Sequence, residues 1–290
     1  MIAIVLTLLV QAPVATGSGV RVKYGADGLP KDRIYAETKL AIKIEGSDTL
    51  ANFVRSLHPL LSLEKLVLRA EGTHALSPSM KHRFEYEEAR VEARYDDENF
   101  EFDYQKGVPP ADLQQDKARQ MMWFLAAGGR SFTLSPEGAY RSEDPNQDGN
   151  GEAMDLFALG ITRMPDGPVK AGDTYERSWK GERSEKGKDA RYAFKQKVKV
   201  ESVEAKDGKT RVTLTSDLTG QLEGDKNPAA EENWTRCAGT TRTVIEAETG
   251  RIVHAEGQGK VTVYFRNTAE TGQKQDLTLT FEAAGKMEAK

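Results

Sequence analysis

The chain has 290 residues, of which 30% are charged and 38% hydrophobic, and its net charge is -4. This balance is typical of a globular protein with a strongly solvated surface and argues against a disordered chain. Lys and Arg are mixed with Asp and Glu almost everywhere, which argues against the basic stripe of a nucleic-acid-binding protein. The single cysteine, Cys237, rules out an internal disulfide framework.

The N-terminus, MIAIVLTLLVQAPVATGSG, has an apolar run from Ile2 to Val10 followed by small residues. This pattern predicts a secretory signal peptide over residues 1–17, with Ala15-Thr16-Gly17 as the small-x-small spacing before cleavage. An uncleaved anchor is the alternative, but the run is well short of the ~20 apolar residues that a spanning helix needs. We therefore expect an exported protein, periplasmic or extracellular, with no transmembrane segment in the mature chain.

Residues 18–163 are predicted to form a β-rich N-terminal half. Ile34–Ile44 alternates with a period of two, which indicates a half-buried strand. Ser47-Asp48 is predicted to cap a short helix that continues to Leu57. Leu63–Ala70 has the composition of a further strand.

A hairpin with an aromatic second strand is predicted over His82–Tyr104. The polar run Asp96-Asp97-Glu98-Asn99 marks its turn. Phe100, Phe102 and Tyr104 then alternate, which places the three rings on one face of the strand. Such a row can line a ligand cavity or belong to an ordinary core, and both interpretations stay open.

The segment Ala111–Ala127 has the clearest helical pattern in the chain, with an apolar face, and Gly128-Gly129 ends it. We expect this helix, 111–127, to lie against the concave face of a sheet. Its side chains would then line the same ligand site as the aromatic row. The helical residues of this predicted site are Met121, Met122, Phe124 and Leu125.

An acidic stretch, DPNQDGNGEAMD, follows the helix and is similar to a single calcium loop of the dockerin type. Calcium prefers six to eight oxygen ligands, which short carboxylate and amide side chains on alternate positions supply. The alternative is a polar connecting loop, because Asp, Asn and Gly turn easily. The candidate metal-binding residues are Asp144, Asn146, Asp148, Asn150 and Asp155.

Residues 164–290 are predicted to form an antiparallel β meander of about six strands. Two turn signals between Pro165 and Asp173 precede a strand from Thr174 to Trp179. Hairpin turns are predicted at Asp207-Gly208 and Thr249-Gly250. In the strand that begins at Tyr192, three lysines occupy one face and either bind an anionic surface or form a solvated sheet face. These lysines are Lys195, Lys197 and Lys199.

Two stretches of this half, PDGPVKAGDTYERSW and EAETGRIVHAEGQGKV, resemble elements of a known group of proteins. The first fits Pro-x-x-x-Val-x-x-Gly-Asp-[Thr/Ser]-[Trp/Tyr], with Tyr175 at the aromatic position. Ser135–Ala139 (SPEGA) fits a turn of the same group. On these residues the chain resembles an uncharacterised family of exported bacterial proteins. The resemblance implies the half-barrel fold of periplasmic lipoprotein carriers, and it implies no catalytic residues.

No catalytic motif stands out in the sequence. The only nucleophile–base pair to consider is Cys237 with His254. A hairpin turn near Thr249 would place the two residues about eight positions apart, or ~26 Å along the strands. We therefore expect a non-enzymatic protein.

The predicted fold class is α+β, mainly antiparallel β, with curved, half-barrel-like sheets packed with a few helices. The predicted function is binding of a lipid or other apolar small molecule in a curved sheet. The alternative is an envelope structural or interaction module that contacts another envelope protein and has one calcium-binding loop.

Overall fold

The structure is a computed structural model, and it contains one extended antiparallel sheet. Within the described residues, twelve strands form this sheet and two α-helices have defined bounds. The described ranges are 19–25, 32–57, 59–77, 79–109, 119–120, 123, 126–127, 129–143, 149–181, 191–223, 233–268 and 274–290. The predicted signal peptide, residues 1–17, lies outside them.

The strands are long, and most of them pair with their neighbours in sequence. The helices are α1 (Asp48–Leu57) and α2 (Gly149–Ala158). Residues 119–120, 123 and 126–127 are also helical, inside the predicted helix 111–127. The strands are β1 (Asp32–Gly46), β2 (Leu63–Leu76), β3 (Lys81–Tyr95), β4 (Glu98–Gln105), β5 (Arg130–Leu134), β6 (Tyr140–Ser142), β7 (Thr174–Lys180), β8 (Arg191–Lys206), β9 (Lys209–Glu223), β10 (Trp234–Glu246), β11 (Ile252–Thr268) and β12 (Lys274–Ala289).

The strand order is β6-β5-β3-β2-β1-β12-β11-β10-β9-β8-β7, and β4 pairs with a second part of β3. The first strand therefore pairs with the last, in a register that runs from Ile34 opposite Ala289 to Gly46 opposite Leu277. This pairing joins both predicted halves in a single open sheet, whereas the sequence predicted several sheets. The division of the chain at residues 163 and 164 stays a prediction.

The mainly antiparallel β architecture is confirmed, and so are several of its local signals. The hairpin turns fall at Asp96-Asp97 and Asp207-Gly208, and all four residues have positive φ, as two-residue hairpin turns of type I′ require. The first turn is shorter than predicted, because Glu98 and Asn99 already pair with β3. The second half contains the six strands β7–β12 of the predicted meander.

Helix α1 begins where its capping signal predicts. The side-chain oxygen of Ser47 accepts a hydrogen bond from the Leu50 amide at 3.4 Å, and its carbonyl accepts one from Ala51 at 2.9 Å. The cap satisfies an amide that has no partner inside the helix.

The sheet has one apolar and one polar face, because side chains alternate along each strand. On β8, Phe194 and Val198 are buried at 2% exposure each, whereas Lys195, Lys197 and Lys199 between and beside them are exposed. The face that bears Phe194 is called the apolar face below, and the face that bears the lysines is called the polar face.

Candidate functional site

The predicted aromatic row lies on the apolar face, where it packs against other side chains. Phe100, Phe102 and Tyr104 stand opposite Ala93, Val91 and Ala89 of β3, in the register that the hairpin predicts. Tyr104 is only 4% exposed, and its ring centroid lies 5.8 Å from that of Trp123. Phe100 and Phe102 are partly buried against the same apolar cluster, which includes Ala126.

The described part of the predicted helix thus lies over the aromatic row. Its other predicted ligand-lining residues lie outside the described residues, so the ligand site of this region stays a prediction. Those residues are Met121, Met122, Phe124 and Leu125.

The apolar face of β10–β12 is covered by helix α2, which rests on a bed of glycines. Phe157 of α2 has no exposed surface. A Cβ atom placed on Gly259 would lie 2.5 Å from the Phe157 ring, and one on Gly285 would overlap the Ala158 carbonyl. Gly239 and Gly257 are in similar contact with Phe157. The absence of side chains at these positions lets the helix sit directly on the strands.

A buried row of hydrogen-bonded polar side chains holds the segment after α2 against the sheet. Thr162 exchanges hydroxyl hydrogen bonds with Thr241 at 2.8 Å and Thr243 at 2.9 Å. Gln196 accepts from the Arg163 amide at 2.8 Å and donates to Ser216 at 2.8 Å and to the Ile161 carbonyl at 3.2 Å. Because these polar groups find partners, their burial is tolerated. The segment therefore covers the apolar face of β8–β10, whereas the predicted ligand site lies at the aromatic row of β4.

The N-terminal segment 19–25 fills more of the same face. Val22 and Tyr24 are 1% and 2% exposed. The Tyr24 hydroxyl donates to the Thr162 carbonyl at 2.9 Å, and Val20 forms an antiparallel bridge with Val169. The apolar face of the C-terminal half is thus packed by the chain itself.

The polar face carries a groove across the middle of the sheet. One cavity of about 990 Å³ is lined by seven neighbouring strands, which are β1, β12, β11, β10, β9, β8 and β7 in sheet order. A second cavity of about 570 Å³ is lined by β1, β2 and β10–β12. The two share Lys39, Thr240, Gln258 and Ala284. We refer to the two together as the polar-face groove.

Cross-strand pairing explains why these residues meet. They form two adjacent rows, in which each member stands directly opposite the next one on the neighbouring strand. The first row is Val67, Lys39, Ala284, Gln258, Thr240, Asp217, Lys197 and Glu176. The second row is Glu37, Lys286, Glu256, Arg242, Thr215, Lys199 and Thr174.

The floor of the groove includes several small side chains. Ala284 is half-buried, and Ala238 and Thr240 are exposed on the neighbouring part of β10. Ala41 is half-buried beside them, and Val67 closes one end at 3% exposure. The long stems of the flanking lysines are able to add apolar surface to this floor.

Most carboxylates in the groove already have a cationic partner. Glu37 pairs with Lys39, and its hydrogen bond to Lys39 together with the charges of Lys39 and Arg69 lowers its pKa. Glu256 lies 3.8 Å from Arg242, and Glu176 lies 2.8 Å from Lys195. These pairs leave few free negative charges along the groove.

Four lysines of the groove form no ion pair with any residue that the structure describes. Among the acidic residues that line the groove, Asp217 is the one without an ion pair to a described residue. The groove therefore has an excess of uncompensated positive charge. These lysines are Lys65, Lys197, Lys199 and Lys260.

The acidic stretch is only partly described. Residues 149–158 form α2 and not a connecting loop. The Asp155 carboxylate accepts a hydrogen bond from Tyr140 at 2.5 Å and lies 3.4 Å from Arg130. Among the described residues, no group of three or more His, Cys, Asp and Glu side chains could hold a metal ion.

The calcium prediction is therefore still open. Asp144, Asn146 and Asp148 lie outside the described residues, and so does the side chain of Asn150.

Cys237 and His254 are far apart, in agreement with the expected register. Cys237 pairs with Val261, whereas His254 pairs with Val244, seven residues further along β10 or about 23 Å away. Burial raises the pKa of the Cys237 thiol to about 12. The thiol is therefore a poor nucleophile at neutral pH.

Two other histidines form a buried pair. His74 and His82 are 8% and 2% exposed, and their Nε2 and Nδ1 atoms lie 3.0 Å apart. Their rings stack on Phe84 and Phe132 of the apolar face. Burial lowers the pKa of His74 to about 4 and that of His82 to about 3. Both rings are thus neutral at pH 7.

The described residues include no helix that is long and apolar enough to cross a membrane. Neither a protein-family model nor a curated protein matches the chain.

The polar-face groove was not predicted as a site from the sequence. The Lys195–Lys199 alternation pointed to its face, with an anionic surface as one open interpretation. A second signal was present in three short tracts rich in glycine and alanine on neighbouring strands. These tracts are Ala238-Gly239-Thr240, Gly257-Gln258-Gly259 and Ala283-Ala284-Gly285.

Proposed function

We propose that this is a non-enzymatic binding protein that holds an elongated, partly apolar small molecule in the polar-face groove. The observation that carries the proposal is the groove itself, with its cavities of about 990 and 570 Å³. Small-molecule sites in proteins commonly measure about 300–1,000 Å³. The groove is also long, because its seven lining strands, β1 and β7–β12, span about 29 Å at ~4.8 Å per strand.

The packing of the apolar face favours the groove over the apolar face of the C-terminal half as the binding surface. Helix α2 and residues 160–164 already cover that face, and their polar groups are hydrogen-bonded to the sheet. A ligand on the apolar face would have to displace these contacts. On the polar face, a ligand meets alanines, threonines and lysine stems that are accessible to solvent.

The proposal also includes a half-barrel curvature of the sheet and export of the protein. A cavity whose lining comes from seven neighbouring strands favours a sheet that bends around a ligand. Export rests on the apolar run and small residues of the N-terminus, and on the resemblance to a family of exported proteins.

The test is isothermal titration calorimetry with two probes that share an alkyl tail, dodecanol and dodecanoate. Ala284 lies at the centre of the groove, so Ala284→Phe should fill it and weaken binding of either probe by at least about tenfold. A matched control is Phe102→Ala, which alters the predicted apolar site and should leave the affinity unchanged. Failure of both probes to bind would overturn the proposal, as would binding that Ala284→Phe leaves intact.

A further inference from the structure

We infer that the ligand of the polar-face groove carries an anionic head group, which binds at Lys199 and the two threonines beside it. This inference rests on the proposed function and names the chemical class of its ligand. Its anchor is the β7–β9 end of the groove. There, Lys199 stands directly opposite Thr174 on one side and Thr215 on the other.

The arrangement suits a carboxylate or a phosphate monoester. Side chains directly opposite each other on paired strands have Cβ atoms about 4.5–5.5 Å apart, so an anion at Lys199 lies beside a threonine on either neighbouring strand. The ammonium of Lys199 supplies charge, and the two hydroxyls can donate hydrogen bonds to anionic oxygens. No carboxylate stands opposite Lys199 in its row.

Lys197 supports the same anion from the neighbouring row of β8. It is exposed and has no ion pair with any described residue, although Asp217 and Glu176 flank it across the strands. Glu176 is already held by Lys195 at 2.8 Å. The local balance at this end thus favours an incoming negative charge.

The rest of the groove suits an apolar tail. From Lys197 on β8, the row leads over Asp217, Thr240 and Gln258 to Ala284, which lies four strands away, or ~19 Å at ~4.8 Å per strand. Ala238 and Ala41 border this path, and Val67 stands at its end. A ligand with one anionic end and one alkyl end therefore matches both halves of the groove.

The experiment compares four probes by calorimetry on the full chain: dodecanoate, dodecanol, dodecylammonium and butyrate. We expect dodecanoate to bind at least about tenfold more tightly than dodecanol, and dodecylammonium to bind more weakly than either. Butyrate should bind weakly, because it lacks the tail. Raising the salt concentration should weaken binding of dodecanoate but not that of dodecanol, since only an ionic contact is screened.

A pair of variants locates the head group. Lys199→Gln should weaken dodecanoate binding about tenfold and leave dodecanol binding unchanged. Lys206→Gln is the matched control on the same strand, because Lys206 is outside the groove lining and forms no ion pair with a described residue, so it should not alter either affinity.

The outcomes separate this inference from the proposed function. Equal affinities for dodecanoate and dodecanol, or a Lys199→Gln variant without effect, would overturn the anionic head group while the groove remains the site. Butyrate binding as tightly as dodecanoate would keep the anion contact and overturn the apolar tail, and with it the proposed function. Failure of every probe would overturn both.

Discussion

The two faces of the C-terminal sheet use the same small-residue tracts for opposite purposes. On the apolar face, Gly259 and Gly285 let α2 approach until Phe157 touches the backbone. On the polar face, the adjacent Ala284 and Thr240 leave an open groove. One face is closed by the chain itself, whereas the other is open to solvent.

The burial of a residue and its availability to a ligand are therefore set by what covers its face of the sheet. Successive residues of a strand point to opposite faces, so a single tract such as Ala283-Ala284-Gly285 shapes both. Substitutions of neighbouring residues that differ only in the face they occupy should therefore have different effects on stability.

The largest expected effect is a loss of folding stability in acid, caused by the buried pair His74 and His82. The pKa values of His74 and His82 are lowered to about 4 and 3, whereas unfolding returns both to their usual range near 6.5. Below pH 6.5 the unfolded chain therefore binds more protons than the folded one, and stability falls as the pH decreases to about 3, the lower of the two folded pKa values. At pH 5 the loss should be roughly 4 kcal/mol for the pair.

Urea unfolding at pH 7 and pH 5 measures this loss. The charged groups that act on the pair are Asp32 and Arg251, which lie 2.8 Å apart and oppose each other. The double variant His74→Leu/His82→Leu should lose much less stability between these pH values than the wild type. An equal loss in both proteins would show that the histidines are not its source.

The second largest effect is a difference in stability between substitutions of Gly285 and Ala284, which are adjacent on β12. Gly285→Val should destabilise the protein by about 3 kcal/mol, because its side chain would collide with the Ala158 carbonyl at the end of α2. Ala284→Val points into the groove and should change stability by less than about 0.5 kcal/mol. Thermal and urea unfolding of the two variants give the difference, and similar losses would mean that the polar face is also tightly packed.

The third effect is a difference in stability between substitutions of Gln196 and Lys197, which are adjacent on β8. Gln196→Met keeps the shape of a fully buried side chain but removes its three hydrogen bonds, so it should cost about 2 kcal/mol. Lys197→Met should leave stability within about 0.5 kcal/mol and weaken dodecanoate binding. A stable Gln196→Met variant would mean that the segment 160–164 is not held by these bonds.

Much of the fold could be predicted from local patterns. The alternation in Ile34–Ile44, the cap at Ser47 and the turns at Asp96-Asp97 and Asp207-Gly208 each reflect interactions within a few residues. The stretch after Met164 was likewise predicted as a turn followed by a strand. Its turn is closed by the Lys170 amide, which donates to the Asp173 side chain at 2.7 Å.

The features that sequence reasoning missed depend on contacts between distant residues. The pairing of β1 with β12 joins Ile34 to Ala289, and no local signal predicts it. Helix α2 was missed because its first turn, Gly149-Asn150-Gly151, has the composition of a loop. The groove was missed because its rows of residues form only when seven strands, distant in sequence, pair in their register.

Under the proposed function, the open polar face binds the ligand and the aromatic row does not. The most direct test is an amide NMR spectrum recorded with a fatty acid that carries a paramagnetic doxyl label on its tail. We expect the strongest broadening at the groove floor, at Thr240, Gln258 and Ala284, and its loss in Ala284→Phe. Strongest broadening at Phe100, Phe102 and Tyr104 would contradict this and place the ligand under the helical residues 119–120, 123 and 126–127.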